Sequence, residues 1–302
     1  MDLGQLDIFL AVATEKSFSR AAQRLLRTQP AVSLAVQKLE RELGERLVDR
    51  SLKDGTLTDA GKIVLEHARK FENLRRDLLN ALTELRDSHT GRLTIGANES
   101  GAIYLLKHIH KFRALYPGVK LEVRRSLSSQ IPHDVLDNVV ELGVISYEPG
   151  DRNLESMVIY TDHLAFTVYP SHRLASRKQV SIRDLGSESF IAHNVLSPYR
   201  QTVLMAFQKH KVPLIMDLEM PSLEAIKKAV QLRMGVAFFP RMVVEQELEA
   251  GTLVEVPVKE LRVERKIRLV HPLRRELSHA ARAFLEVVRR SGAVQEEAAA
   301  DA

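Results

Sequence analysis

Polar side chains that can read DNA bases are spaced along a short segment near the N-terminus. Gln29, Ser33 and Gln37 follow one another at intervals of four residues, and Thr28 stands directly before them. In a helix this spacing places the three side chains on one face. Amide and hydroxyl groups of this kind hydrogen-bond to base edges in the major groove. We therefore predict that Thr28, Gln29, Ser33 and Gln37 contact bases or their immediate surroundings, with Pro30 beside them in the first helical turn.

Basic side chains surround this polar row. Residues 16–39 contain basic side chains at five positions and no acidic one. The basic positions are Lys16, Arg20, Arg24, Arg27 and Lys38. Lys and Arg neutralise phosphates and make binding to DNA dependent on salt. Any one of these residues also fits the simpler alternative of a solvated helix face, but the set as a whole favours a DNA-reading surface.

A small basic hairpin is predicted directly after this segment. Arg50 and Lys53 precede Asp54-Gly55, and Asp-Gly is a typical two-residue hairpin turn. A hairpin here would place Arg50 and Lys53 against phosphates or in a minor groove. Ser17 and Ser19, near the start of the second predicted helix, are further candidates for phosphate contacts.

The elements that must position these residues are short helices, each with one apolar face. Their apolar residues recur at the spacing expected of helices that bury one side. These residues are Leu3, Leu6, Phe9, Leu10 and Ala13, then Phe18, Ala21, Ala22 and Leu25, and then Val32, Val36, Leu39 and Leu43. The side chain of Thr28 is predicted to cap the last of these helices, and Gly44 is predicted to end it. We expect this domain to occupy residues 1–58.

A long, highly charged helix is predicted over residues 59–88. Val64, Phe71, Leu78 and Leu85 recur every seven residues along it. A solitary helix would expose this stripe to water, so a partner helix is expected. We favour a homodimer through this linker, because paired DNA half-sites require a two-fold protein. The alternative is that the stripe packs on the chain's own domains.

Strands and helices alternate beyond a predicted hinge at residues 89–91. Alternation of this kind favours parallel sheets with helices on both faces. The elements fall into two rounds, and the last strand and helix are expected to return to the first round. The predicted effector domain, 92–292, therefore has one lobe formed by about 92–161 with 267–292 and a second formed by about 162–266. The Ala- and Glu-rich tail, 293–302, is expected to be disordered.

Polar residues follow several of these predicted strands. In a two-lobed α/β domain, a ligand is expected in the cleft at the carboxyl ends of strands. Free N–H groups at the helix starts would favour a small anion, and Arg200 could clamp it in bidentate fashion. The candidate effector contacts are Asn98, Ser100, Ser128, Ser129, Tyr147, His193, Ser197, Arg200 and Ser222.

A structural interpretation stands beside each of these effector candidates. Ser100, Ser197 and Ser222 also fit a simple role as helix caps, which is a common role for serine at such positions. Arg200 also fits an ion pair with Glu219 or another carboxylate. A histidine in the position of His193 is more often a hydrogen-bonded structural residue than a ligand contact.

The composition sets broad limits on function. The chain has 302 residues, so two or more domains are expected, and it has no cysteine. This excludes disulfides, thiolate metal sites and a cysteine nucleophile, and it fits a reducing, bacterial-type cytoplasm. The sequence has no long apolar run and no pattern typical of a signal peptide, so no membrane partner is expected. The net charge of +5 suits a polyanionic partner. We expect no cofactor and no bound metal.

The N-terminal segment resembles the winged helix-turn-helix of the LysR-type transcriptional regulators. The resemblance is carried by Leu6, Phe9, Ser17-Phe18, Ala21-Ala22, Leu25, Thr28-Gln29-Pro30-Ala31-Val32-Ser33, Leu39-Glu40, Leu43-Gly44, Leu47, Arg50, Leu57-Thr58 and Gly61. In this family a Phe is usual where Val48 stands, and an Arg is frequent where Leu34 stands. The effector region is similar to the family's effector domain in Tyr116-Pro117-Gly118-Val119 and in residues 221–226.

The resemblance implies a regulator with the effector-domain fold of bacterial periplasmic binding proteins. Family membership implies double-stranded DNA and a small-molecule effector as partners, and a dimer of dimers as the assembly. A change in the angle between lobes would then reposition the linker helices. Specificity for a particular effector does not transfer with the resemblance.

Three alternatives remain open at this point. One is a regulator of the same class that acts without a ligand. Another is a solute-binding module for transport, which would require an export signal. The last is an enzyme on the binding-protein fold, with Glu99 or Asp137 as candidate catalytic groups. The sequence contains no phosphate-binding loop, dinucleotide fingerprint or serine elbow, so an enzyme is not the expected class.

Overall fold

The computed structural model describes residues 1–49, 56–86, 90–195 and 197–300. These residues form two compact units. The first contains Met1–Thr83 and Asp137–Val139, and the second contains the remainder of the described chain.

The start of the first unit is built from three helices within residues 1–49. They are α1 (Leu3–Glu15), α2 (Phe18–Arg24) and α3 (Gln29–Leu43). Asp2 and Ser17 cap the first two through their side chains, and Gly44 ends α3 with a φ of 74°. The predicted apolar faces meet in one core, where Phe9, Val32, Val36 and Leu39 are fully buried. The predicted three-helix arrangement is confirmed.

A short antiparallel pairing follows α3. Val48 pairs with Leu57, and the N–H of Asp49 donates to the carbonyl of Thr56 at 2.8 Å. The buried carboxylate of Glu40 accepts from the N–H groups of Leu47 and Val48 at 2.9 and 3.3 Å. The carboxylate thereby anchors the base of the hairpin to α3. The predicted turn at Asp54-Gly55, together with Arg50 and Lys53, lies outside the described residues.

The linker helix α4 spans Asp59–Arg86. Its first turn is capped by Thr58, whose hydroxyl oxygen accepts from the N–H of Gly61 at 3.0 Å. A Cβ atom at position 61 would lie 2.0 Å from the carbonyl oxygen of Leu47, so only glycine fits there. The side chains of Val64, Leu65 and Ala68 pack on the core of this unit. None of the helices in the described ranges has the length and hydrophobicity required to cross a bilayer.

The second unit is a two-lobed α/β structure. Its elements in chain order are β1 (Gly91–Ala97), α5 (Glu99–Leu115), β2 (Val119–Arg125), α6 (Ile131–Leu136), β3 (Leu142–Ile145), β4 (Leu154–Val168), β5 (Ser189–His193), α7 (Pro198–Lys209), β6 (Ile215–Met220), α8 (Leu223–Gln231), β7 (Ala237–Pro240), α9 (Glu245–Glu249), β8 (Val254–Glu255), β9 (Glu264–Pro272) and α10 (His279–Ala300). Single-turn 3₁₀ helices lie at Ile182–Leu185 and Arg241–Val243.

The sheets are mixed rather than wholly parallel. Strand β1 pairs in parallel with β2 and β3, and β5 pairs in parallel with β6. Strand β9 is antiparallel to both β3 and β4, and β4 is antiparallel to β7 and β8. The prediction of parallel sheets is therefore wrong for the strands that join the lobes. The physical reason is that β4 leaves the first lobe while β9 returns to it, so the two run side by side in opposite directions.

The return of the chain to the first lobe is confirmed. Strand β9 pairs with β3, and α10 shares a hydrophobic core with α5. In that core the rings of Phe112 and Phe284 meet edge to face, with centroids 5.3 Å apart. The helix α10 spans His279–Ala300, and the disorder expected from 293 stays a prediction. Ala and Glu are strong helix formers, and here they extend a helix that has already been nucleated by packing.

A buried histidine makes the second unit sensitive to acid. His108 on α5 is 1% exposed, and neither of its ring nitrogens has a hydrogen-bond partner in the described part of the chain. Burial, together with the nearby charges of Lys107 and Lys111, lowers the pKa of His108 to about 4. His110, two residues on, is exposed, so the two rings point to different sides of α5.

We predict that His108→Leu reduces this acid sensitivity. The pKa of His108 is lower in the folded state, so the unfolded chain takes up a proton first as the pH falls from about 6.5. The contribution of neutral His108 to the free energy of unfolding is complete above about pH 6.5 and is lost as the pH falls toward about 4. Between pH 7 and 5 the wild type should lose about 2 kcal/mol through this group.

Urea unfolding of the full chain at both pH values tests this prediction. His108→Leu should show the smaller loss, while the matched variant His110→Leu should behave like the wild type. Equal losses in all three proteins would contradict the assignment.

Candidate DNA interface and effector cleft

The polar row on α3 lies beside its buried face. Val32, Val36 and Leu39 are fully buried. Thr28, Gln29 and Pro30 are exposed, and Ser33 and Gln37 are partly exposed. The burial of the apolar row therefore fixes which side of α3 the polar row presents to solvent. The apolar Leu34, which stands where related domains often carry Arg, is half exposed.

The roles of the hydroxyl residues in this domain differ from the prediction at one point. Thr28 occupies the cap position of α3, but its side chain makes no capping hydrogen bond. The predicted side-chain cap is therefore wrong. Ser17 does cap α2, accepting from the N–H of Arg20 at 3.3 Å. Ser19 is exposed on α2.

A cavity of about 850 Å³ lies in the second unit, between its two lobes and extending into the second. The ends of β1, β2 and β3 contribute one wall, and β5, α7 and the start of α8 contribute the other. Of the candidate effector residues, those that line the cavity are Asn98, Ser100, Ser128, Ser129, Tyr147, His193, Ser197 and Arg200. Ser222 does not line it and instead caps α8, accepting from the N–H of Ala225 at 3.2 Å.

The first-lobe wall is organised by Asn98. Its Oδ1 accepts from the N–H of Gly101 at 2.8 Å, and its Nδ2 donates to Oγ of Ser128 at 2.7 Å. The buried Ser100 donates to the same Oδ1 at 3.2 Å, so Asn98 rather than Ser100 caps α5. The Tyr147 hydroxyl donates to the carbonyl of Ser128 at 2.8 Å. Three predicted residues thus meet at the start of α5.

Most of the candidate effector residues in the second-lobe wall are hydrogen-bonded to other groups of the protein. Ser197 caps α7, accepting from the N–H of Arg200 at 3.2 Å. The terminal nitrogens of Arg200 donate to the carbonyl of His193 at 2.9 Å and to Glu219 at 2.5 Å. The predicted alternative of an Arg200–Glu219 pair is therefore confirmed. A bidentate clamp on a ligand would require this pair to break.

Glu99 lines the cavity, although the sequence suggested it only as a candidate catalytic group. Its Oε1 accepts from the N–H of Leu223 at 2.9 Å, at the first residue of α8. Its Oε2 lies 3.6 Å from Nε2 of His193, whose Nδ1 accepts from the N–H of Val195 at 3.0 Å. The carboxylate from the first lobe thus lies at a helix start of the second, where the positive end of the helix favours an anion.

Three further residues line the cavity, namely Arg125, Tyr199 and Arg265. Sequence patterns do not identify them, because their contacts join distant parts of the chain. Arg125, at the end of β2, has its guanidinium 3.5 Å from the carbonyl of Pro221. Arg265 on β9 forms a buried ion pair with Asp162 on β4 at 2.8 Å, and it lies 4.7 Å from the ring centroid of Tyr199. The Tyr199 hydroxyl donates to the carbonyl of Ser146 in the first lobe. No local pattern in the sequence signals these contacts.

The polar end of the cavity carries positively charged groups together with the Glu99 carboxylate, which already accepts from the N–H of Leu223 at the start of α8. Arg125, the imidazole of His193 and the start of α8 converge there, and several hydroxyl and amide groups can donate hydrogen bonds. No cluster of His, Asp and Glu with metal-binding geometry occurs among the described residues.

Family models match both units of the chain. Residues 3–62 match the model described as the bacterial regulatory helix-turn-helix protein of the LysR family. Residues 86–293 match the LysR substrate binding domain. The chain therefore belongs to the LysR family of regulatory helix-turn-helix proteins, and it is a transcriptional regulator rather than an enzyme.

Curated relatives agree with this assignment. The chain is 32% identical over 293 residues to a probable RuBisCO transcriptional regulator of Synechocystis, covering 95% of this chain and 85% of that protein. A protein of the same description from Trichormus variabilis is also 32% identical over 293 residues, with 95% and 87% covered.

Solved structures share the fold. CbnR, a LysR family regulator complexed with its target DNA, has a TM-score of 0.76 at 20% identity, covering 96% of this chain and 100% of that one. The regulatory domain of Synechocystis CcmR, in complex with 2-PG, has a TM-score of 0.61 at 23% identity, covering 67% and 97%. The predicted architecture of winged helix-turn-helix, linker helix and two-lobed effector domain is confirmed.

We predict that Asn98 acts as a helix cap and can be replaced in that role by Asp. Asn98→Ala should lower the free energy of unfolding by about 1 kcal/mol, because Gly101 loses its acceptor. Asn98→Asp keeps an oxygen at that position and should retain most of the stability. Urea unfolding of both variants tests the prediction, and equal destabilisation by Ala and Asp would contradict it.

Proposed function

We propose that this regulator reads a partly palindromic DNA site with α3 in the major groove. The observation that carries the proposal is the row of Gln29, Ser33 and Gln37 beside the buried face of α3, in which Gln29 is exposed and Ser33 and Gln37 are partly exposed. Amide side chains bond adenine in bidentate fashion, and hydroxyl groups bond several bases.

Phosphate contacts supply the remaining affinity in this proposal. Ser17 and Ser19 lie at the start of α2, and the Ser17 hydroxyl can still donate a hydrogen bond while it accepts from Arg20. Arg50 and Lys53 are proposed for phosphates or the minor groove on the strength of their position in the sequence. Because these contacts carry no base information, they set affinity and its salt dependence rather than site choice.

We infer that the linker helix joins two copies of the chain. On α4 the leucines at 74, 78, 79 and 82 and Phe71 are between 45% and 65% exposed. A contiguous apolar stripe of this kind on a charged helix is typical of a coiled-coil seam. A dimer would present two copies of α3 to half-sites about one helical turn apart. A dimer of dimers is the proposed full assembly.

The cleft is proposed to bind a small acidic effector. Support comes from Arg125, His193 and the start of α8, where the protein already places the Glu99 carboxylate. The likeness to a regulatory domain that binds 2-PG agrees with an acidic ligand. A ligand that prefers one arrangement of the lobes would shift the population of that arrangement and so alter the DNA-binding units.

Several finer points belong to the same proposal. We place the DNA-binding domain at 1–58, the linker at 59–88, the hinge at 89–91 and the effector domain at 92–292. Because the target is bacterial chromosomal DNA, the protein is proposed to act in the cytoplasm. A regulator that works without a ligand is the alternative, and it predicts that no acid raises the melting temperature.

We predict that Gln29→Ala and Ser33→Ala remove sequence-specific DNA binding. Each loses hydrogen bonds to base edges, so affinity for the DNA upstream of the protein's own gene should fall by about 10-fold or more, since a good base contact contributes about 1–3 kcal/mol. Binding to scrambled DNA should change little. Mobility shift across a salt series measures both.

The matched control for the glutamine variant is Gln246→Ala. Gln246 is an exposed glutamine on the short helix α9 of the other unit. The Gln246→Ala variant should bind upstream DNA and scrambled DNA with the same affinities as the wild type. If Gln29→Ala and Ser33→Ala also leave the preference for upstream DNA unchanged, α3 does not read the site.

We predict that Leu78→Glu weakens dimerisation. The side chain is 60% exposed on α4, and a carboxylate in a coiled-coil seam would be desolvated or repelled by its counterpart. Sedimentation velocity should show a shift to the monomer at micromolar concentration. Arg69→Glu adds the same group at an exposed position off the stripe and should leave the assembly intact, and equal effects of both variants would contradict the seam.

A further inference from the structure

We propose that the effector is an amphiphilic acid, with its acid group at the polar end of the cavity and an apolar body in the second lobe. The proposal rests on the effector function proposed above and extends it to a ligand class. It follows from the chemistry of the cavity wall, which changes from polar to apolar across the cavity. The apolar part, called the annex below, is lined by Leu164, Phe190, Val203, Leu214, Met216 and Phe238.

The annex is built by strands of two sheets and by one helix. Leu164 lies on β4, Phe190 on β5, Met216 on β6 and Phe238 on β7, while Val203 faces them from α7. Each strand thus contributes an apolar side chain to the same wall. The ring planes of Phe190 and Phe238 are within 3° of parallel, with centroids 5.6 Å apart.

The annex residues form an accessible edge of a core rather than its interior. Leu164, Leu214, Met216 and Phe238 pack against the buried core of the second lobe but are themselves only partly buried. Phe190 and Val203 are nearly inaccessible. The partly buried side chains therefore keep apolar surface toward the cavity, and that surface is available to a ligand.

Apolar walls of this kind favour an apolar occupant over water. Water in a cavity needs several polar partners, and the annex side chains offer none. Transfer of a methylene group from water into an apolar site is favourable by about 0.8 kcal/mol, which is about fourfold in affinity. A ligand that extends from the polar end into the annex gains this increment for each methylene that enters.

The size of the cavity also favours such a ligand. At about 850 Å³ it falls in the range of sites that enclose a drug-sized molecule. An acid with two or three carbons would fill only the end near Arg125 and His193 and leave the annex uncovered. An acid with an apolar body would cover both parts of the wall.

The orientation of the ligand follows from the charges. Arg125 and His193 lie at the polar end with Ser128, Ser129 and the Glu99 carboxylate, whereas the annex has no charged lining residue among those described. A carboxylate placed in the annex would lose its hydration without a partner. The acid group therefore belongs at the polar end, where it would compete with Glu99 for the N–H of Leu223.

The test is titration calorimetry of the full-length protein with acetate, butyrate, hexanoate and octanoate, and with octanamide as a neutral match. We expect Kd to fall about fourfold for each methylene beyond butyrate until the annex is filled. Octanamide should bind at least tenfold more weakly than octanoate. Acetate and octanoate binding with equal affinity would overturn the amphiphilic ligand while leaving a small-anion effector in place.

A pair of methionine variants locates the binding. Met216→Gln is close to isosteric and puts an amide into the annex, so octanoate should lose about tenfold in affinity while acetate is unchanged. Met205→Gln makes the same change at an exposed residue of α7 outside the cavity and should match the wild type. Equal octanoate affinity in both variants would place the acid elsewhere, for example on the exposed stripe of α4, and would overturn the proposal.

The remaining outcome separates this inference from the proposed function. If neither these carboxylates nor 2-PG, the ligand in the CcmR complex, binds when titrated in the same way, the effector proposal fails together with the annex proposal. Mobility shift on upstream DNA then shows whether the DNA-reading proposal survives, because that assay needs no ligand. Circular dichroism melting of both methionine variants confirms that each is folded before it is titrated.

Discussion

The antiparallel pairing of β4 with β9 is the constraint on which the effector domain depends. The two strands pair along most of their length, from Leu154 opposite Pro272 to His163 opposite Glu264, with one irregularity near Val158. At one end β9 joins the sheet of the first lobe, and at the other β4 joins the sheet of the second. The lobes are therefore held by a continuous ladder of backbone hydrogen bonds.

The buried Arg265–Asp162 pair reinforces this crossing. Its members stand on the two crossing strands, and Asp162 also accepts from the N–H of Met242 at 3.3 Å. Removal of one partner would leave a buried charge, which is costly, so the pair holds the strands in a single register. Because Arg265 also lies over Tyr199 and lines the cavity, the joint between the lobes is part of the ligand-site wall.

The features that can be predicted from the sequence depend on residues that are close together in the chain. The bounds of α3, its Pro30 start and its Gly44 end follow from helix periodicity and caps, and the polar face of α3 follows from the position of its apolar face. The apolar stripe of α4 is of the same kind.

The remaining features depend on tertiary contacts that no short segment encodes. Glu99 meets Leu223 across 124 residues, and Arg265 meets Asp162 across 103. The antiparallel direction of β9 follows from the route of the chain between lobes rather than from its residues. The role of Arg200 also depends on a tertiary contact, because its guanidinium donates to Glu219 on a separate strand.

The central claim is that α3 of two linked copies reads the major groove. Dimethyl sulfate protection of guanine N7 on the DNA upstream of the gene tests it most directly, because that atom lies in the major groove. The account predicts two protected patches whose centres are about one helical turn, or a multiple of it, apart. Uniform protection along the DNA, or protection confined to the minor groove when adenine N3 is probed, would contradict it.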